Sequence, residues 1–371
     1  MFNSVADSPI KEIFMSHNRG REVCSAVCTL VAGSVLLFLA GCANQKKAVE
    51  LYVDAVMLNE VGQNDKAVEK LDSAVRLNRR FSLAYSLLGD IYQQTKNYEK
   101  SAVSYEKATE LNPWSFKDYF DLGKVYQIME KSTQAVKAYA KACELKPDHL
   151  EAHLNAARGY YQIKDYNNAM VYYQRVNQID PNISEPQKTL GDIYESQKKH
   201  DQAIASYKRA LEIDSNNLSI MISLAVVYLR SGNNESAKEL LASVIQLQPD
   251  NSQAYQYMGY CCLRLREQAV EAYKKSAETD SNNPEIKASF AKYLDESIEN
   301  YNKAIEINSK NWEAFRGLGV AYILQSLDEK DESLKEKAIK QWQLSLDIKP
   351  DQPRRQKLLE LIQKYSKKVN S

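Results

Sequence analysis

Two histidines four positions apart have the spacing with the most obvious chemical potential in this chain. On a helix, His149 and His153 would present two imidazoles on one face, which is a common way to hold a metal ion. The sequence His-Leu-Glu-Ala-His does not place its glutamate where a zinc protease needs it. No third ligand accompanies the pair, and His149 falls in a predicted turn. We therefore expect no metal site.

Other patterns with catalytic potential are equally incomplete. Gly317 and Gly319 are spaced as in a phosphate-binding loop, but they lie inside a helical pattern with no strand before them. Cys143, Cys261 and Cys262 lack the paired spacing of a disulfide framework, so we expect small apolar fillers. The sequence contains no nucleophile elbow, P-loop or CxxC pair. We predict that the chain is not an enzyme and has neither catalytic residues nor a cofactor.

Composition restricts the choice of partner. The 371 residues carry 49 Lys and Arg against 48 Asp and Glu, which gives a formal net charge of +1. A nucleic-acid-binding protein would need an excess of basic residues along one face. The charge balance therefore argues against nucleic acid and leaves proteins and the membrane as candidate partners.

A column of small residues recurs along the chain, mostly every 34 residues. Its members are Ala55, Gly89, Gly123, Ala157, Gly191, Ala225, Gly259, Ala291 and Gly319. Every member is Gly or Ala, so another group must pass close to the backbone there. A repeat of this length is typical of helix–turn–helix units that stack because each cannot bury its apolar face alone.

Large aromatic residues recur in step with the small column. A second helix in each repeat carries a ring followed by a small residue at helical spacing, which predicts large side chains packed against small ones. These rings are Tyr105, Tyr139, Tyr173, Tyr207, Tyr273, Tyr301 and Trp342. Prolines end several repeats because proline cannot continue the helical hydrogen bonds. Packing in this pattern accounts for most of the 24 tyrosines.

The pattern resembles the tetratricopeptide repeat (TPR). Residues 119–147 read YFDLGKVYQIMEKSTQAVKAYAKACELKP, which is similar to the family motif. The resemblance covers residues 48–350 and implies an all-α, right-handed α-solenoid of about nine helix-turn-helix repeats. The repeat around Gly259 is two residues short, the repeat around Ala291 is six short, and the last carries about seven extra residues. We therefore expect irregular geometry over residues 260–337.

The first residues follow a different pattern. A basic stretch, an apolar run and the sequence Leu-Ala-Gly-Cys ending at Cys42 resemble a bacterial lipoprotein signal. The resemblance implies a signal peptide over residues 1–41, a lipid on Cys42 and a short tether over residues 42–47. Ala43 then favours the outer membrane, facing the periplasm, if the host has two membranes. An uncleaved signal anchor is the alternative, and translation could also start at Met15.

Residues 351–371 form one amphipathic pattern with apolar residues on one side and Lys and Arg on the other. We interpret this segment as a capping helix, because a stacked array must cover its last apolar face. The alternative is a basic surface for an anionic partner or a membrane.

The resemblance also implies a concave groove, lined by the first helix of each repeat, that binds peptides or partner helices. Candidate binding residues are the positions on that helix outside the packing columns. They are Phe120, Lys124, Gln127, Leu154, Asn155, Arg158, Tyr161 and Lys188. Aromatic and aliphatic anchors among three cations would suit an apolar peptide with one or two acidic groups. The family's two-carboxylate clamp is not matched.

These observations predict a lipid-anchored TPR scaffold of the bacterial envelope. It would bring proteins together in assembling a pilus or secretion system, a polysaccharide export system or the murein-remodelling machinery. The alternatives are a self-associating spacer without a peptide ligand and the recognition subunit of a glycosyltransferase-type enzyme.

Overall fold

The computed structural model describes residues 43–277 and 284–369, and these form helices joined by turns, with no strand among them. The predicted signal peptide and Cys42 lie outside the described residues. The chain divides into two compact units, Met1–Tyr172 and Tyr173–Ser371. Among the described residues, no helix combines the length and apolarity needed to cross a bilayer.

Unit 1 is built from paired helices of nearly equal length. They are α1 (43–60), α2 (Asn64–Leu77), α3 (Ser82–Gln94), α4 (Tyr98–Leu111), α5 (Phe116–Ile128), α6 (Ser132–Leu145), α7 (Leu150–Gln162) and the start of α8 (Tyr166–Ile179). The predicted tether is helical from residue 43, because residues 43–50 include no glycine or proline to interrupt a helix.

The small column faces an aromatic ring of the second helix in the same pair. A Cβ on Gly123 would lie 2.7 Å from the Tyr139 ring, and one on Gly89 would lie 2.6 Å from the Tyr105 ring. Both rings are buried, Tyr105 completely and Tyr139 to all but 1% of its surface. The prediction that something passes close to the small column is confirmed, since the ring lies directly on the helix backbone.

The turn inside each pair also repeats. One residue per turn adopts a left-handed backbone conformation, which reverses the chain at the end of a helix. These residues are Gly62, Lys96, Glu130 and Lys164 in unit 1, and Lys198 and Gly232 in unit 2. Four of the six have a side chain, so neighbouring packing holds a conformation that glycine would adopt more easily.

Unit 2 begins with the rest of α8 and continues with regular pairs before its helices lengthen. The regular helices are α9 (Ser184–Ser196), α10 (His200–Ile213), α11 (Leu218–Ser231) and α12 (Asn234–Leu247). The later helices are α13 (Ser252–Ala277), α14 (Pro284–Ile307), α15 (Trp312–Glu329), α16 (Ser333–Ile348) and α17 (Arg355–Val369). α13 and α14 contain 26 and 24 residues, against 13 or 14 in the regular helices.

The two shortened repeats merge into one long helical hairpin. Gly259 in α13 lies under the ring of Tyr301 in α14, so that a Cβ on this glycine would be 3.0 Å from the ring. Tyr273 meets Phe290 at a ring-centroid separation of 6.0 Å. The two helices are therefore antiparallel over their length. The expected turn after Gly259 does not occur, because the shortened repeats leave no residues for it and each pair of short helices becomes continuous. Irregular geometry was predicted in this region, but this fusion was not.

Arg266 holds the position where the next left-handed turn residue would fall. It is 8% exposed, forms an ion pair with Asp328 of α15 at 2.6 Å, and lies 5.7 Å from the centre of the Phe290 ring. A buried guanidinium needs such partners, because an unpaired charge is costly away from water. The ion pair ties the continuous part of α13 to α15.

The last helix packs on the final pair. Leu358 of α17 is 5% exposed and shares a cluster with Trp342 and Ile323, while the Tyr365 ring lies 6.1 Å from the Trp342 ring. Trp342 itself covers Gly319 and donates a hydrogen bond from its indole N–H to the Arg316 carbonyl. These are the contacts that a capping helix makes.

Candidate functional site

The first helices of unit 1 form a surface that we call the first-helix surface. It consists of the residues two before, one after and four after each small residue, and it includes Asp90, Asp121, Lys124 and Gln127. Part of it is a polar cleft of about 430 Å³. The cleft is lined by Asn59, Asp90, Gln93, Gln94, Lys117 and Asp121, which come from three consecutive first helices.

Lysines and aspartates on this surface neutralise one another. The Lys117 ammonium group lies 2.5 Å from Asp90 and 3.2 Å from Asp121, and Lys124 lies 2.6 Å from Asp121. These pairs link α3 to α5 and fix the direction of each side chain. The exposed members contribute little to stability, so their main effect is to present charges of both signs in fixed positions.

The buried tyrosines of the second helices also shape this surface. The Tyr105 hydroxyl donates hydrogen bonds to Asp90 at 2.6 Å and to Gln93 at 3.2 Å. Burial and the Asp90 carboxylate raise the pKa of Tyr105 above its ordinary value, so the hydroxyl remains a donor at physiological pH. The same ring that packs against Gly89 thus positions polar groups at the cleft.

One acceptor in the cleft is unused within the described structure. The Asn59 side-chain oxygen is buried and accepts no hydrogen bond from a described residue. A buried acceptor without a partner is costly, so a ligand N–H or a water molecule would stabilise it. Gln94 beside it is exposed and carries an amide that can both donate and accept. The cleft therefore offers the groups that bind a peptide backbone.

Phe120 does not lie where its predicted role requires. Its ring is 9% exposed and packs against Phe116, Tyr139 and His149, with centroid separations of 5.6, 5.8 and 5.1 Å. The expectation that Phe120 is a surface anchor is corrected by this burial. Lys124 covers it, with its ammonium 4.9 Å from the ring centre. The helical period places Phe120 three residues before the small column, on the face that packs inward.

The other predicted residues of unit 1 lie on or beside the first-helix surface. The Tyr139 hydroxyl donates to Gln127 at 2.8 Å and also hydrogen-bonds Asn155. Leu154 is half-buried and Arg158 is exposed. The Tyr161 ring lies 5.7 Å from that of Tyr166 in the next helix. These contacts place five predicted residues together in one unit, with their polar groups largely engaged by neighbours.

Lys188 belongs to unit 2 and has its own local network. Its ammonium group pairs with Asp192 at 2.6 Å, one turn along α9. The Tyr207 hydroxyl donates to the same aspartate at 2.6 Å. Asp192 follows Gly191 as Asp90 follows Gly89, so the tyrosine–aspartate contact of unit 1 is repeated in this helix pair.

The two histidines have structural roles. His149 is the N-cap of α7, where its Nδ1 accepts a hydrogen bond from the Ala152 N–H at 3.1 Å. His153 lies 3.0 Å from the Pro147 carbonyl through its Nε2. In the described part of the chain, no group of three His, Cys, Asp or Glu side chains could hold a metal ion.

The cysteines are buried thiols inside the packing. Burial raises the pKa of Cys143, Cys261 and Cys262 to about 12. A thiol with so high a pKa is a poor nucleophile at neutral pH. Burial thus makes these three thiols unreactive packing groups rather than nucleophiles.

Sequence reasoning missed all six residues that line the cleft, including Gln94 and Asp121. A signal for four of them was present, because Asp90 occupies the same column as Lys124, Asn59 and Gln93 the same column as Gln127, and Asp121 the same column as Asn155. Completing these columns and extending them to the two preceding repeats would have found the four. Lys117 falls outside those columns. It lines the cleft because α5 lies beside α3.

Comparison with known proteins supports the repeat assignment. Profiles described as tetratricopeptide repeat match residues 83–113, 119–149 and 150–183, and another matches residues 194–258. A profile described as TPR repeat matches residues 293–326. None of the curated proteins matches the chain significantly.

Among similar solved structures, one shows the same fold over most of the chain. The C-terminal part of a TPR repeat-containing protein from Cytophaga hutchinsonii aligns with 73% of this chain and 98% of its own, at 13% identity and a TM-score of 0.55. YrrB, described as a TPR protein with an unusual peptide-binding site, aligns with 50% of this chain and 95% of its own, at 22% identity and a TM-score of 0.44. MamA aligns with 44% and 90%, at 20% identity and a TM-score of 0.42.

Identities this low show the fold alone. The profile matches fall in both units and coincide with the regular helix pairs and with α14–α15. The chain therefore carries tetratricopeptide repeats, in the segments that these profiles match.

Proposed function

We propose that the chain is a lipid-anchored scaffold of the bacterial envelope that binds an extended segment of a partner protein along the first-helix surface of unit 1. Repeats of this family form scaffolds for protein interactions. The observation that carries the proposal is the polar cleft between α1, α3 and α5. The hydroxyl of the buried Tyr105 holds two of its acceptors, Asp90 and Gln93, in place before any ligand arrives.

The chemistry of the cleft suits a peptide backbone. Asn59 offers an unused acceptor, Gln94 an exposed amide, and the Asp90–Lys117–Asp121 network supplies both charges. A bound segment would exchange its hydrogen bonds to water for these groups, with little loss of side-chain freedom in the scaffold. Preorganisation of this kind reduces the entropic cost of association.

A photo-crosslinking amino acid placed at Gln94 tests this surface in bacterial cells. The matched control is the same amino acid at Lys137, which is exposed on the second helix α6. We expect a discrete crosslinked partner from position 94, and none of that size from position 137. Lys117→Glu should weaken the crosslink, because it places a third carboxylate beside Asp90 and Asp121. Equal amounts of the same crosslinked product from both positions would show that the partner does not bind at the cleft.

The anchor is tested separately. The signal-like sequence supports a lipid on Cys42, and several acyl chains would make a stable attachment at about 0.8 kcal/mol per buried CH₂. We expect labelled palmitate to enter the wild-type protein and to be absent from Cys42→Ser, which should also leave the membrane fraction. A soluble wild-type protein that retains its leader would contradict the anchor without affecting the cleft.

Self-association is a second candidate function, favoured by an exposed apolar stripe on α1. Val49, Val53 and Met57 are 50%, 43% and 61% exposed. Met57 stands in the same column as Ile91 and Val125, which the neighbouring helices bury almost completely. Light scattering of the delipidated protein should show a dimer that Met57→Glu dissociates if this stripe joins two copies. A monomer at micromolar concentration would exclude the spacer.

A further inference from the structure

A second cleft lies in unit 2, outside the first-helix surface of unit 1. It is a cleft of about 470 Å³ between α13, α15 and the beginning of α17. We call it the C-terminal cleft. Its floor includes Tyr257, Tyr260, Leu263 and Val320, and its rim includes Arg316, Arg354 and Lys357.

The floor of the C-terminal cleft is apolar and open to solvent. Tyr260 is 44% exposed and Val320 is 39% exposed. Both follow a small residue directly, Gly259 and Gly319, and so occupy the column that holds Asp90 and Lys124 in unit 1. The buried ring of Tyr301 lies beneath them against Gly259 and Gly317. A large apolar side chain of a ligand could therefore bury itself on Tyr260 and Val320.

The rim of the cleft carries positive charge. Arg316, Arg354 and Lys357 make no ion pair with a carboxylate among the residues that the structure describes, and Glu313 is the acidic residue among those lining the cleft. This differs from the unit 1 surface, where Lys117 and Lys124 are both paired. Cations that form no ion pair with a neighbouring carboxylate attract a ligand that brings its own carboxylates.

Arg316 is held in position for this role. Its guanidinium stacks 4.9 Å from the centre of the Trp312 ring and donates a hydrogen bond to the Pro353 carbonyl at 3.3 Å. A guanidinium has five N–H donors, so most remain for a ligand carboxylate. The Pro353 contact also joins α15 to the start of α17, where Arg354 adopts a left-handed backbone conformation with φ of 62°.

We propose that the C-terminal cleft binds an acidic, extended segment of a partner protein, with a large apolar side chain on Tyr260 and Val320 and adjacent carboxylates on Arg316, Arg354 and Lys357. The charge of the rim selects this occupant over a basic segment. The site exists because α13 continues through the position of a turn and α17 closes one end. This proposal does not depend on the unit 1 surface.

Binding of the purified full-length protein to a peptide array tests the proposal. Each ten-residue peptide carries Phe, Leu or Ser at its centre and Glu, Lys or Gln on both sides. We expect Glu-flanked Phe and Leu peptides to bind about tenfold more tightly than their Lys-flanked counterparts, as charge-assisted contacts allow. Glu-flanked Ser peptides should bind weakly, because they leave the apolar floor uncovered.

Charge reversal gives the decisive comparison. Arg354→Glu, Lys357→Glu changes two exposed rim residues, and it should shift the preference from Glu-flanked to Lys-flanked peptides. The matched control is Lys337→Glu, Lys340→Glu on α16, which makes the same change in net charge at exposed positions away from the cleft. The control should keep the wild-type preference. Thermal melting confirms that both variants fold.

Four outcomes would overturn the proposal. An unchanged preference in the rim variant, or equal binding of Ser-centred and Phe-centred peptides by the wild type, would show that the cleft does not select such a segment. A dimer in sedimentation that the rim variant abolishes would assign the cleft to a second copy of the chain. Tyr260→Ser should weaken the binding of Phe-centred peptides and leave the binding of Ser-centred peptides unchanged. An equal change for both peptides would contradict the role of the apolar floor.

Discussion

The first-helix surface of unit 1 and the C-terminal cleft of unit 2 use the same column of the repeat in opposite ways. Next to the small residue, unit 1 places Asp90, Lys124 and Arg158, whereas the cleft places Tyr260 and Val320. In unit 1 the charges pair with one another, and in the cleft the rim cations have no acidic partner among the described residues. One repeat scaffold thus supports a polar surface and an apolar one.

The difference originates in the helix pairs beneath the two surfaces. In unit 1, Gly89 and Gly123 each pack under a ring of their own short hairpin, Tyr105 and Tyr139. In unit 2, Gly259 packs under Tyr301 of the long partner helix instead. Loss of the turn within α13 therefore changes which aromatic ring packs against Gly259. The packing of a small residue against a large ring is preserved.

The largest effect is expected from overpacking Gly259. Gly259→Leu should destabilise the protein by about 1–3 kcal/mol, because a side chain there meets the buried Tyr301 ring. A double-mutant cycle with Tyr301→Ala should give a coupling energy on the order of 0.5–3 kcal/mol, whereas a cycle with Tyr273→Ala should give none. Urea unfolding measures both cycles. Coupling between Gly259→Leu and Tyr273→Ala would instead indicate that this region forms two separate repeats and not a fused hairpin.

Gly123→Leu is the counterpart in unit 1. It should couple to Tyr139→Ala, the ring of its own hairpin, because a Cβ on Gly123 would already lie 2.7 Å from that ring. If Gly123→Leu leaves the unfolding transition unchanged, the small column does not pack against the tyrosine rings.

An effect of comparable size is expected at the ion pair that secures α13. Asp328→Ala leaves Arg266 buried without its carboxylate and should cost about 1–3 kcal/mol, which is below the range for a fully buried pair because Asp328 is partly exposed. The control is Glu267→Ala, which breaks the exposed pair with Arg264 and should cost about 0–1 kcal/mol. Similar melting temperatures for the two variants would show that the Arg266 pair does not secure α13.

The smallest effect concerns the pH dependence of unit 1. Burial and Asp90 raise the pKa of Tyr105 in the folded state, so the folded protein keeps a proton that the unfolded chain loses above pH of about 10. Stability from this group is complete below that pH and falls as the pH rises further, by at most about 1.4 kcal/mol per pH unit.

Tyr105→Phe should therefore reduce the loss of stability between pH 9 and 11 by about 1 kcal/mol or less, as measured by urea unfolding at each pH. An identical slope in wild type and Tyr105→Phe would show that the Asp90 contact does not govern the titration.

The repeat architecture was predictable because its columns recur many times. Gly89, Gly123 and Gly191 each imply a ring close to the helix, and the Tyr105, Tyr139 and Tyr207 rings are where the period places them. The fused hairpin of α13 and α14 was harder to predict from the sequence. A deletion of two residues signals a disturbed turn, but only the packing of α13 on α14 shows that the turn is lost and that Tyr301 replaces Tyr273.

The residues that line the polar cleft were not among the predicted binding residues. The columns identified Lys124, Gln127, Asn155 and Arg158, which lie along the first-helix surface. Phe120 was predicted on the surface although its position three residues before the small column lies on the inward face, where its ring packs against that of His149. The C-terminal cleft could not be foreseen, since it needs α13, α15 and α17 from distant parts of the sequence.

The central claim is that α13 is one continuous helix where a regular repeat would turn back. Nitroxide labels introduced as non-natural amino acids at Gln253 and Lys274, both exposed, test it through their electron–electron dipolar distance. A continuous helix predicts a separation of about 30 Å from its rise of about 1.5 Å per residue. Labels at Ser219 and Glu239 in the regular pair α11–α12 should give on the order of 15 Å. A similarly short distance for the first pair would contradict the fused hairpin and the C-terminal cleft built on it.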